Sequence, residues 1–220
     1  MKNLTDLSDK RILFIGGESA LEKVVIKQLL SMDASVEVYN PNVEGENKPH
    51  GQFDGVVYGI VSSDFRPLKM VSHDNLLQIV NQNYFLFIDV LRDLLKSKGI
   101  KNNSSIVVYS SISSIHAMKA KMAFSSAKAA LDAAVRCLAV ELAPKGIRIN
   151  SIQKGGVDAD FEKSHIQSIN VINDNATENK QLLGMTAADE IANMTGFLLS
   201  DAVRTMTGTS IVIDSGYTLL

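Results

Sequence analysis

The feature that most constrains this chain is a regular alternation of short β-branched runs with longer stretches of helical periodicity. RILFI (11–15), SVEVY (35–39), GVVYGI (55–60), SIVVYS (105–110), RINSI (148–152) and SIVID (210–214) read as strands. Helical patterns fill about 19–31, 73–98, 120–143 and 186–200, the last opened by Thr186 with Asp189 and Glu190 as a capping box. Most strand runs are apolar throughout, the pattern of strands covered by helices on both faces. Strands joined by helices in this way predict right-handed crossovers and a doubly wound, three-layer α/β fold with a mostly parallel sheet of about six strands.

All 220 residues fit one domain with one sizeable core. A net charge of −2 supplies no basic field for nucleic acid or an anionic membrane, so neither is an expected partner. The single Cys137 excludes an intrachain disulfide and a cysteine zinc cluster, which agrees with a cytoplasmic protein. The apolar run near the N-terminus is too short for a signal segment or a membrane span.

Two segments interrupt the alternation. Residues 40–52, NPNVEGENKPHGQ, read as a polar loop joining two strands without a helix. Residues 153–185 form a polar insertion after a strand's carboxyl end, where a lid over a ligand crevice would sit; a surface excursion fits the composition equally well.

The first strand leads into IGGESALEKVVIKQLL, in which Gly16 and Gly17 supply a tight turn before a helix. Such turns cradle phosphates on backbone amides and the helix N-terminus, and many are merely tight turns.

Farther on, VYSSISSIHAMKAKMAFSSAKAALDAAVRCLAVELAPKGIRINSI and ADEIANMTGFLLSDAVRTMTGTSIVIDSGYTLL give the chain its resemblance to the short-chain dehydrogenase/reductase family, over nearly its whole length. The resemblance implies a Rossmann-like fold and hydride transfer between NAD or NADP and a carbonyl or alcohol. It puts the family's catalytic serine on Ser111 and its lysine on Lys128. The supporting asparagine falls on Asn81, with Asn83 as the alternative register. The acid/base tyrosine falls on Phe124, thirteen residues after Ser111. Cofactor contacts would come from Gly16, Gly17, Ser19, Ala20, Asn40, Gly59 and Gly155.

Several of these positions depart from the family's pattern. Phenylalanine has no ionisable proton, so Phe124 cannot replace a phenol as general acid/base, a loss of about 10²–10⁴-fold in rate. His116 is a conceivable substitute donor and equally a solvated loop residue. Lys128 could face the crevice or pair with Asp132 along a helical stripe that also holds Arg136. Ala20 and Glu22 replace the second and third turn glycines, and a carboxylate at Glu22 would compete with a pyrophosphate or simply favour the helix dipole. Tyr58, Gly59, Ile60 and Val61 replace an Asn-Asn-Ala-Gly turn, while Lys154-Gly155 and Ala159 replace a Pro-Gly and a threonine. The thirteen residues between Tyr39 and Phe53 cannot hold the family's helix–strand–helix unit, so the sheet should end at SVEVY with one edge βα unit missing.

Nine alanines between Ala120 and Ala143 describe a helix that must be buried on more than one side, unless one subunit covers it all. The family resemblance implies a homodimer or homotetramer through helices 73–98 and 120–143, or a hetero-oligomer with an active relative. Three functions follow: a degenerate, non-catalytic partner subunit; an NAD(P)-dependent carbonyl reductase with a displaced proton donor; or a binding protein using the crevice for another ligand.

Overall fold

The structure is a computed structural model that describes residues 4–159 and 181–220. The main sheet holds β1 (Arg11–Ile15), β2 (Ser35–Tyr39), β3 (Phe53–Tyr58), β4 (Ile100–Ser111), β5 (Arg148–Lys154) and β8 (Ser210–Ile213). Their order is β2-β1-β3-β4-β5-β8, and every pairing is parallel. A two-stranded sheet pairs β6 (Val157–Asp158) with β7 (Thr186–Ala187).

The near-continuous apolar strands need cover on both faces, and the helices supply it. On one face α1 (Ala20–Ser31) and α5 (Ala188–Leu199) pack Leu21, Val25, Leu29, Ile191 and Leu198 against Ile12, Phe14, Val57 and Val107. On the other, α3 (Leu86–Lys96) and α4 (Met122–Leu142) pack Phe87, Leu94, Leu131 and Val135 against Leu13, Val56, Ile106 and Ile149. No helix among the described residues is long and apolar enough to cross a membrane.

Three local expectations change, and a fourth lies largely outside the described residues. The helix expected over 73–98 is α2 (His73–Val80), a π turn at Asn81–Phe85, and then α3. β4 begins five residues before the predicted strand, at Ile100; its polar KNNSS start pairs irregularly with β3, and Asn103 takes a left-handed φ of 61°. Thr186 does not cap α5, because it is drawn into β7 and its hydroxyl lies 3.4 Å from that of Ser215. Of the lid-like insertion expected over 153–185, residues 160–180 lie outside the described residues.

The missing edge unit has a visible consequence. β2 is the outermost strand, and residues 40–52 run beside α3 with no helix of their own. Lys48 pairs with Asp93 at 3.2 Å, and Gln52 donates to the carbonyl of Lys98 at 3.2 Å. A groove of 610 Å³ lies between this segment and α3, lined by Tyr39, Pro49, Leu86, Val90 and Leu94.

Candidate functional site

The carboxyl ends of β1, β3 and β5 open into a crevice of 380 Å³ at the point where the sheet order reverses between β1 and β3. Gly16, Ser19, Asn40 and Gly59, all expected near a cofactor, line it together with Glu18, Glu22, Asn42, Ile60, Val61 and Lys154. Gly17 belongs to the same turn, whereas Ala20 and Gly155 do not line the crevice. Gly155 has a packing role: a methyl group there would lie 2.8 Å from the backbone of Asp214.

The turn is built by backbone geometry that only glycine adopts freely. Gly16 and Gly17 have φ of 121° and 103°, and the Gly16 N–H donates to the carbonyl of Tyr39. Ser19 then caps α1, its hydroxyl accepting from the Glu22 N–H at 3.2 Å. In return one oxygen of Glu22 accepts from the N–H groups of Gly17 (3.0 Å) and Ser19 (2.9 Å). Glu22 is only 6% exposed. Its other oxygen would lie 2.6 Å from a methyl group at Gly16 and 2.9 Å from one at Gly59.

The amides that would cradle a phosphate are thus held by a carboxylate of the chain itself. A pyrophosphate in this turn and Glu22 in its observed position exclude each other, so the dinucleotide of the family does not fit the turn as it stands. The Ser19-x-x-Glu22 spacing is that of a capping box, a signal readable in the sequence beside the helix dipole and competition with a ligand. At the rim, the Asn40 amide donates to Glu18 at 2.9 Å, and the Asn40 N–H donates to Glu46 at 2.9 Å.

The positions that the family resemblance assigns to a reaction centre lie along β4 and α4. Ser111 ends β4, accepting from the Ser113 N–H and donating to the Ser113 hydroxyl, each at 3.2 Å. Phe124 is 3% exposed and packs with Ile79, Ala123 and Ala127, with Val61, Leu76 and Val80 around them. Lys128 is fully buried; its ammonium donates to the carbonyl of Tyr109 at 3.0 Å and stands 5.7 Å from the Phe124 ring.

The proposed surface stripe of ion pairs is not formed. Asp132 is buried and accepts from the Ser151 hydroxyl (2.9 Å) and the Gln153 amide (2.7 Å), while Arg136 is exposed. The helix turns Lys128 and Asp132 toward the sheet, so neither lies on the solvent face. Asn81 is exposed, whereas Asn83 is fully buried at the π turn. The Asn83 amide bridges to the loop after β3, accepting from the Ser62 N–H (3.1 Å) and donating to the carbonyls of Ser62 (2.6 Å) and Ile79 (2.9 Å). His116 packs edge-on against Tyr217, with ring centroids 5.3 Å apart. No group of three or more His, Cys, Asp or Glu side chains suited to a metal ion occurs among the described residues.

Comparison with known proteins agrees with the fold. The family described as Enoyl-(Acyl carrier protein) reductase matches residues 22–218. An enoyl-(acyl-carrier-protein) reductase (NADH) FabI of Buchnera aphidicola is 26% identical over 203 residues, covering 90% of this chain and 75% of that one. The corresponding Bacillus cereus protein is 29% identical over 174 residues, covering 77% and 67%. Among solved structures, a short chain dehydrogenase family protein from Francisella tularensis superposes with a TM-score of 0.83 at 24% identity, covering 96% of this chain and 99% of the other. That structural likeness speaks for the fold alone.

Proposed function

Since the chain belongs to the short-chain dehydrogenase/reductase family, we propose that it keeps the family's fold and association surface but not its hydride chemistry, and acts as a non-catalytic or partner subunit. The observation that carries this reading is Phe124. The family resemblance assigns the proton donor to this position, and the ring that stands there has no ionisable group and is buried among apolar side chains. The Phe124 ring offers Lys128 no phenol to activate, and the ammonium donates to the carbonyl of Tyr109. A hydroxyl acid lost without replacement costs about 10²–10⁴-fold in rate. Two further observations support the reading: the occupied phosphate turn and the edge of the sheet at β2.

The test is consumption of NADH and NADPH by the purified chain with carbonyl and enoyl-thioester substrates, beside Phe124→Tyr. Neither protein should turn over, because restoring the phenol leaves Glu22 in the turn. Turnover by the wild type would overturn the reading. It would favour the second one, an NAD(P)-dependent reductase with a displaced donor, for which the retained Ser111 and Lys128 and the names of the relatives speak.

A further inference from the structure

We propose that Glu22 is a built-in occupant of the anion site in the Gly16–Ser19 turn, and that it sets the ligand specificity of the crevice against phosphate-bearing molecules. The inference rests on the reading of the crevice given above. It concerns ligand choice rather than turnover.

Three observations carry it. First, the carboxylate is held by the two backbone N–H groups, Gly17 and Ser19, that the turn offers to a ligand anion. Second, the side chain is 94% buried by its surroundings, being 6% exposed, so it fills the floor rather than swinging in solvent. Third, the glycines around it leave room for the carboxylate itself. A methyl group at Gly16 or Gly59 would meet the second Glu22 oxygen at 2.6 or 2.9 Å. The space those glycines keep open is therefore space that the side chain uses.

An entering pyrophosphate would have to displace the carboxylate from both amides, break the reciprocal cap with Ser19, and then sit beside a like charge in a partly desolvated site. Glu18 at the rim adds a second carboxylate to the lining, against one ammonium, Lys154. The polarity of the crevice is thus inverted relative to a phosphate cradle. The second Glu22 oxygen accepts no hydrogen bond from a described residue and faces the floor formed by Gly16 and Gly59.

The probes are inorganic pyrophosphate and NADH, titrated into the full chain and into Glu22→Ala and Glu22→Gln. Binding is read by calorimetry and by the amide NMR shifts of Gly17 and Ser19. Wild type should show neither heat nor shifts. Glu22→Ala should bind pyrophosphate at least about tenfold tighter, with both amides moving. Glu22→Gln should bind more weakly than Glu22→Ala, because its amide oxygen still fills the turn although the like charge is gone. If Glu22→Ala does not fold, Glu22→Ser, which keeps a hydrogen-bonding group in the first turn, takes its place.

Wild-type binding that shifts Gly17 and Ser19 overturns the proposal, as does a folded Ala or Ser variant that gains no affinity. Gln matching Ala also overturns it, since charge rather than occupancy would then decide. The two readings fail separately: NADH turnover without these amide shifts would sink only the non-catalytic function, and pyrophosphate binding without turnover would sink only the occupancy of the turn.

Discussion

Asn83 shows how one side chain joins three pieces of the site. Its amide satisfies both backbone groups of Ser62 in the loop after β3 and the carbonyl of Ile79 at the end of α2, all from a fully buried position. The π turn that carries it supplies the extra residue needed to turn the amide inward. Asn83→Ala would leave the Ser62 N–H and two carbonyls without this partner, at a cost of about 1–3 kcal/mol for the buried groups. Asn81→Ala, on the exposed side of the same turn, should change stability by less than about 0.5 kcal/mol. Urea unfolding of the two variants checks the contrast, and amide exchange at Ser62 should accelerate only in the first. The family resemblance favours Asn81 over Asn83 for an inward asparagine, and the sequence does not reveal the π turn, which shifts every later residue around the helix axis.

At the scale of elements, the central strands carry two buried phenols that link sheet to helix. Tyr58 of β3 donates to the carbonyl of Gln82, and the Tyr109 hydroxyl of β4 is 2.9 Å from that of Thr195 on α5. Both are held above the usual tyrosine range, first by burial. The charge of Glu22 adds to the rise in each, and for Tyr109 the Thr195 hydrogen bond works the other way. The unfolded chain releases such protons near pH 10, whereas the folded chain keeps them. The stability present below about pH 10 therefore falls as pH rises above it, by up to about 1.4 kcal/mol per pH unit for each phenol. Denaturant midpoints measured on either side of about pH 10 check this, and Tyr58→Phe should shallow the decline. The strands themselves were legible because their apolar runs are unbroken. The polar start of β4 was not, since pairing with β3 rather than composition holds it. The positions that the family resemblance assigns were readable as residue types; the inward turn of Lys128, Asp132 and Asn83 was not, since only the packing of α4 and the π turn decides it.

The whole molecule is asymmetric in how it is covered, and this bears on association. One face of α4 packs Ala123, Ala127, Leu131, Val135 and Ala139 inward. The opposite face leaves Met122, Ala129, Ala133 and Val140 exposed, Val140 by 78%. Leu77 and Phe85, on α2 and the π turn, are exposed by 49% and 46%. Small side chains on such a face let another helix approach closely, and the apolar groups beside it would gain about 25 cal/mol for each Å² removed from water. We propose that this surface pairs with a second copy or with a related subunit, as the family resemblance implies. Ala133→Arg would put a charged, long side chain in the middle of the contact while leaving the folded monomer within about 0.5 kcal/mol of its stability, because the position faces solvent there. Sedimentation velocity should show the wild type as an oligomer and the variant as a folded monomer. A wild type that sediments as a monomer at all concentrations, alone and with co-expressed relatives, would remove the subunit role; the exposed face of α4 would then have no partner to explain it.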